Sequence, residues 1–158
     1  MQVDSLPQRL ALPNGGKLNQ DVRKALIKAT KRSTHRRHQT GCVIVGKKGD
    51  ILSTGCSHAS SLRMSELHSI HAEIHALGRG RYENLRGATA YICTMARKSG
   101  NLVYSRPCLT CAIALRSAGI KVVFYSSGDN VPSDFIWNKL DLDSRIANAN
   151  LKVYPRRK

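Results

Sequence analysis

His71-Ala72-Glu73 and Pro107-Cys108-Leu109-Thr110-Cys111 decide how this chain is read, because together they bring one imidazole, one carboxylate and two thiols. Such a donor set builds zinc sites. A zinc that does chemistry takes three protein ligands and keeps its fourth position open to water, whereas a structural zinc closes all four with Cys and His. His71, Cys108 and Cys111 supply three ligands, and Glu73 adds a carboxylate free to carry a proton.

Pro107 precedes an apolar, Ala-rich run over residues 111–118, so a helix is expected to begin there with the proline at its first position. Residues three apart on a helix share a face. In a first turn both sulfurs also feel the positive end of the helix dipole, which favours the thiolate a metal requires. His71 opens a second run, in which Ile74, His75 and Leu77 follow at near-helical spacing. Glu73 falls too far round that helix to share the coordination position of His71, yet within reach of a metal-bound water. His75, one turn on, is expected in the core or behind the ligands, since zinc motifs with two histidines a turn apart put glutamate directly after the first. Cys42, Cys56 and Cys93 lie in or beside predicted strands, where cysteine ordinarily serves as a small buried hydrophobe. Any one of them could also close the fourth metal position.

Outward from these motifs, residues 1–18 hold Pro7, Pro13, Asn14, Gly15 and Gly16 with little periodicity and read as a flexible N-terminal arm. Residues 19–158 read as a single domain. From Asn19 or Gln20, Val22, Ala25, Leu26 and Ala29 fall on one side of a helix and Arg23, Lys24, Lys28 and Lys31 around the other. The basic stretch 31–39 leads into a hairpin made of 42–45, a Gly-containing turn at 46–50, and 51–54. Residues 58–70 form a Ser-rich loop placed to act as a lid or substrate wall. The His71 helix ends near Gly78 and Gly80, and a strand follows at 88–93. Residues 95–106 are expected as a short hairpin, turning at 98–101 and returning at 102–104. A buried strand at 120–126, a short helix at 134–140 and a last strand at 151–154 complete the chain. Tyr91, Tyr104 and Phe124 fall at strand spacing and are expected in the core. This order predicts an α/β three-layer sandwich, a mixed central sheet of about five strands with helices on both faces. The N-termini of the two motif helices meet at one edge of that sheet.

The chain has 158 residues, the size of one domain, and buries roughly two-thirds of its unfolded surface. It carries 26 Lys and Arg against 10 Asp and Glu, a formal net charge of +16. A field of that sign attracts polyanions, so the expected partner or substrate bears phosphate. No apolar run approaches the ~20 residues that cross a bilayer. The first residues show no basic region followed by an apolar block, as a secretory signal requires. Five cysteines, two of them in a metal motif, argue against a disulfide framework and for a reducing cytoplasm.

The HAE and PCLTC segments, in that order and each opening a helix, resemble the cytidine deaminase superfamily of zinc-dependent base deaminases, over about residues 22–125. The resemblance implies a cytidine deaminase-like fold and a Zn2+ cofactor held by His71, Cys108 and Cys111. It implies Glu73 as the catalytic proton carrier in hydrolytic removal of a ring amino group. Ser33, Thr34, Arg36 and Arg37, just before the first strand, are similar to deoxycytidylate deaminases, in which that loop lies near the substrate. The expected substrate is therefore a cytosine nucleotide of the dCMP or CMP kind, giving ammonia and the uracil product. Ser57, Arg36, Arg37, Ala72 and Arg106 are the expected substrate contacts, and relatives that assemble imply a homo-oligomer. After Gly55 such deaminases commonly carry an aromatic residue and then an Asn; here Cys56 and Ser57 stand there. His35 and His38 read as part of a solvated connection.

The second reading is a polynucleotide base deaminase acting on tRNA adenosine or on cytosine in a single-stranded nucleic acid. The tRNA adenosine deaminases share the pattern at His71 to Ile74 and Gly87 to Thr89, and the net charge suits a phosphate backbone. Ser105-Arg106 replace the approach to Pro107 typical of that family. A third reading is a catalytically inactive, zinc-containing nucleic-acid-binding protein with four protein ligands. The run HAEIHAL also resembles bacterial riboflavin-pathway deaminases, which space their two cysteines more widely.

Overall fold

Asn19 sets where the first helix begins: its side-chain oxygen accepts the Asp21 amide at 2.8 Å, satisfying a donor that the helix start leaves open. The computed structural model describes residues 19–59, 69–128 and 137–153, so the arm expected at 1–18 lies outside the described residues. Helix α1 (Gln20–Lys31) buries Val22, Leu26 and Ala29 and leaves its lysines outside. Strands β1 (His38–Val45) and β2 (Ile51–Cys56) form the expected antiparallel hairpin. The ends of the Ser-rich loop pair with each other as β3 (His58–Ala59) and β4 (Ser69–Ile70), and 60–68 lie outside the described residues.

Helix α2 (Ala72–Arg79) and a short α3 (Tyr82–Leu85) lead to β5 (Thr89–Ala96), which pairs antiparallel with β1. The chain turns back through β6 (Leu102–Val103), so the expected hairpin at 95–106 exists. Helix α4 (Leu109–Ser117) crosses over to β7 (Val122–Ser126), parallel to β5, and β8 (Trp137–Asp141) pairs antiparallel with β7. Helix α5 (Leu142–Val153) completes the described chain. The sheet order is β2-β1-β5-β7-β8, and β6 continues along β5 past the end of β7. Ser126 joins that handover: its Oγ accepts the Thr94 amide at 3.2 Å and donates to the Val103 carbonyl at 2.8 Å.

Strand alternation sorts the core into two layers. Val43, Val45, Tyr91, Cys93, Phe124 and Trp137 meet Val22 and Leu26 of α1 on one face. Cys42, Ile44, Ala90, Ile92, Val123 and Tyr125 meet Ala72 and Ala76 of α2 and Ala112 and Leu115 of α4 on the other. Helices thus cover both faces, giving the three-layer α/β sandwich. Small residues set the spacing at α2, where a Cβ on Gly55 would collide with the Ala72 carbonyl and the Ala76 amide. The end of α4 is a Schellman cap: Gly119, at φ +96, donates to Arg116 and Ile120 donates to Leu115 at 3.1 Å.

Three expectations are corrected. The short helix expected at 134–140 is strand β8 from Trp137 onward, and 134–136 lie outside the described residues. Trp137 joins the α1-side cluster and Leu140 the opposite one. Residues three apart share a face of a helix but fall on opposite faces of a strand. The strand also satisfies the backbone edge of β7, whose residues are largely buried. The strand expected at 151–154 is helical through Val153, as the end of α5, while Tyr154 lies outside the described residues. Pro107 does not occupy the first helical position; Cys108 is the N-cap and Leu109 the first residue of α4.

Candidate active site

His71 and Cys108 are the N-caps of α2 and α4, the two helices that cover one face of the sheet. The Nδ1 of His71 lies 3.3 Å from Cys111 Sγ and 3.6 Å from Cys108 Sγ. A tetrahedral zinc, with bonds of ~2.3 Å to sulfur and ~2.0–2.1 Å to nitrogen, places such atoms about 3.5 Å apart. The three donor atoms all lie within 4.8 Å of one another, and among the described residues no fourth His, Cys, Asp or Glu joins that group. The donor set fits zinc, and with three protein ligands it leaves one position open. Cys42 and Cys93 are buried in the sheet, outside this group.

Glu73 sits in the first turn of α2 and is buried, with 5% of its surface exposed. Burial pushes its carboxyl above the usual range, against the opposing pull of its own backbone amide, His71 and the Cys111 thiol. A carboxyl held that way can keep a proton as well as release one. Burial likewise pushes the Cys111 thiol up, and the nearby Glu73 and Cys108 push it further. The thiol must therefore give up its proton for a metal, whose binding supplies the driving force.

A cavity of about 350 Å³ opens over these groups. Ser57, Ala72, Glu73 and Arg106, all singled out in the sequence, line it. Arg36 and Arg37 are exposed and do not line it; their neighbours His35 and His38 do. His38, Thr40 and Thr94 line it too, at the ends of β1 and β5. His38 and Thr40 alternate in step with Cys42 and Ile44, so the face that holds the core deeper in the sheet carries polar groups at its end. Strand parity starting from Cys42 is the signal that marks these residues. Their hydroxyls form a row: Thr40 Oγ1 lies 2.9 Å from Thr94 Oγ1, which donates to Ser105 Oγ at 3.1 Å.

Ser57 is held by Ser33, with 2.7 Å between the two hydroxyl oxygens, and accepts the Thr40 amide at 3.2 Å. Tyr104, expected in the core, is 53% exposed and lines the cavity, with its ring edge-on to Tyr125. It follows the two-residue strand β6, too short to carry the alternation that would have buried it. His75 is half-buried behind the ligands, and its Nδ1 accepts the Cys56 amide at 3.0 Å. Desolvation, with His58, Arg79 and Arg32 adding to it, lowers its pKa below the imidazole value.

Among the described residues no helix is long and apolar enough to cross a membrane. A search of curated proteins returns no match. Among solved structures, the chain is similar to cytidine deaminase from Mycobacterium leprae, with a TM-score of 0.52 and 16% identity over 82% of this chain and 98% of that one. It is similar in the same way to cytidine deaminase from Burkholderia pseudomallei, with a TM-score of 0.52 and 16% identity over 80% and 95% of the two chains. These likenesses show the fold. The dCMP deaminase of the cyanophage S-TIM5 aligns at 20% identity over 70% and 86%, with a TM-score of 0.47. Residues 17–127 match the family described as the cytidine and deoxycytidylate deaminase zinc-binding region, a span that contains every residue of the zinc motif. The chain therefore belongs to the cytidine and deoxycytidylate deaminase family of zinc-dependent hydrolytic deaminases.

Proposed function

We propose that the chain deaminates a cytosine nucleotide of the dCMP or CMP kind, with His71, Cys108 and Cys111 as zinc ligands and Glu73 as the catalytic acid and base. The observation that carries this reading is the buried Glu73 carboxyl, two residues after His71 and lining the same cavity as His71 and Cys108. Zinc bound there supplies a Lewis acid that makes water nucleophilic near neutral pH. With zinc held there, Glu73 would take one proton from water and pass it to the ring nitrogen, then take the second proton from the hydroxyl added to the ring carbon and hand it to the departing amine, which leaves as ammonia. Burial raises the carboxyl's affinity for a proton, the direction that favours a group which both takes and gives one.

The rest of the cavity suits a substrate with a phosphate. Arg106 brings a guanidinium to its lining. His35 Nδ1 accepts the Arg37 and His38 amides at 3.3 Å each, so its ring hydrogen sits on Nε2, where it can donate. Ser57 and the hydroxyl row of Thr40, Thr94 and Ser105 offer both donors and acceptors to base and sugar. The volume lies in the range of small-molecule sites. Ile74 and Ile113 are 38% and 45% exposed on α2 and α4, the two helices of one face, and this supports assembly of several copies through that face.

The test is ammonia release from dCMP, CMP, cytidine, single-stranded DNA and tRNA, comparing wild type with Glu73→Ala, with zinc measured in both. Turnover of a cytosine nucleotide that disappears in the variant while zinc is retained supports the reading. Unchanged turnover in Glu73→Ala removes that residue from the mechanism. One observation favours the polynucleotide alternative: Tyr104 presents an exposed ring at the cavity, where a neighbouring base can stack for ~1–3 kcal/mol. Activity confined to tRNA or DNA, weakened by Tyr104→Ala and steeply by salt, would select that alternative.

A further inference from the structure

We propose that Cys56, His58 and His75 form a second metal site, suited to a borderline divalent cation of the zinc class and separate from the His71 group. Cys56 ends β2 and His58 opens β3, so the two flank Ser57 at the spacing that puts alternate residues of an extended chain on one side. His75 reaches them from α2, one turn beyond His71. Each contributes one ligand atom, and the three atoms lie within 4.8 Å of one another. All three side chains are half-buried, which leaves solvent able to complete the coordination.

A hydrogen bond already orients the His58 ring for a metal, while the one at His75 has to be exchanged. His58 Nδ1 lies 2.9 Å from the Cys56 carbonyl, and a carbonyl can only accept, so Nδ1 carries the hydrogen and Nε2 the lone pair. A ligating histidine is ordinarily held in just this way, by a carbonyl on its other nitrogen. The lone pair of His75, on Nδ1, faces the Cys56 amide at 3.0 Å. Metal binding exchanges that hydrogen bond for a coordinate bond, and the Cys56 thiol releases its proton to solvent as it becomes a thiolate. The rings meet edge to face, with centroids 4.5 Å apart. Two imidazoles and one thiolate form a borderline-soft set that suits zinc or cobalt and not magnesium or calcium.

The surroundings set the order of affinity. Arg32 and Arg79 line the 190 Å³ hollow that holds Cys56 and His75, and their positive charge opposes a cation. With one thiolate against the two of the His71 group, this site binds the ion more weakly. A metal here ties β2 and β3 to α2. Ser57, which lies between two of its ligands, is part of the catalytic cavity wall.

The test is metal content in the full-length chain, loaded with excess zinc and desalted, and it does not depend on which substrate is turned over. Wild type is expected to hold two zinc ions per chain, Cys56→Ser/His58→Ala one, and Cys108→Ser one. Cobalt loading gives a second readout: in Cys108→Ser/Cys111→Ser the thiolate-to-cobalt absorption persists, and adding Cys56→Ser removes it. A chelator should strip the wild type in two steps, with the first step missing from Cys56→Ser/His58→Ala. A single zinc in wild type overturns the proposal, as does a second zinc that survives Cys56→Ser/His58→Ala. So does the absence of a cobalt–thiolate band in Cys108→Ser/Cys111→Ser protein whose circular dichroism matches wild type.

Discussion

Arg97 and Ser33 are joined beside the candidate cavity: the guanidinium Nη2 donates to the Ser33 carbonyl at 2.8 Å, and Nε of the same side chain donates to the His35 carbonyl at 3.1 Å. Gln39 adds a bond to the Ser33 carbonyl at 3.1 Å, so the turn before β1 is held from two sides. That turn carries His35, and the chain after Arg97 returns through β6 to Tyr104, Ser105 and Arg106. The hairpin at 95–106 therefore forms one wall of the cavity and secures the other. Because Arg97 is exposed, its bonds are discounted to about 1 kcal/mol in total, or about fivefold in an equilibrium constant. Arg97→Ala is expected to raise KM about fivefold with kcat and zinc content little changed. A fall in kcat at constant KM would show that the bonds do not act through the substrate wall.

Glu73→Gln keeps the size of the side chain and removes its proton chemistry. General acid–base catalysis contributes ~10²–10⁴-fold, and a loss of kcat in that range is expected while zinc stays at the wild-type level. Rate and metal content measured on the same sample separate this outcome from collapse of the site.

Gly55→Ala tests how α2 is seated. The added methyl meets the Ala72 carbonyl and the Ala76 amide, both backbone atoms of α2 that cannot swing aside. Overpacking of this kind costs ~1–3 kcal/mol. Each kcal/mol lowers Tm by about 2–4 °C in a domain of this size. Thermal unfolding should fall accordingly, and zinc affinity with it, since α2 carries His71. An unchanged Tm would mean that β2 yields freely.

Cys93 gives the protein an alkaline weakness. Burial in the sheet pushes its thiol from the ordinary 9.0 up to about 12, with the Thr30 hydroxyl pulling slightly the other way. A group whose folded pKa is raised contributes stability that is complete below the unfolded value and is lost as pH climbs towards the folded one. Cys42, also raised by burial, acts with the same sign. Unfolding free energy from denaturant titration should therefore decline above pH about 9, with a Cys93 share of up to ~1.4 kcal/mol per pH unit. Cys93→Ala should flatten that decline; an equal slope in the variant would remove the thiol from the account.

Much of the fold could be read from local sequence. The α1 stripe, the β1–β2 hairpin and the two motif helices each carry their period within a dozen residues, and all four are found, with β1 starting earlier, at His38, and α4 later, at Leu109. The return at 102–104 was readable because a turn at 98–101 separates two β-rich pieces. What escaped depends on partners distant in the chain. Residues 137–140 carry an apolar spacing that suits either element, and the open edge of β7 decides it. Of the expected contacts, Ser57, Ala72 and Arg106 line the cavity, whereas Arg36 and Arg37 do not, on a loop whose histidines do. Composition reports that charge lies nearby; the bonds from Arg97 and Gln39 to the Ser33 and His35 carbonyls, which fix the path of that loop, come from residues outside it.

The parallel pairing of β5 with β7 has a consequence for assembly. Two antiparallel strands can meet through a short turn, but β7 reaches β5 only after α4 has been laid across the sheet. His71 belongs to a segment before β5 and the two cysteines to the crossover after it, so the donors converge only when that long-range closure is complete. Holding the ion and closing the sheet are accordingly linked in free energy, so a bound metal would stabilise strand pairings far from its own ligands.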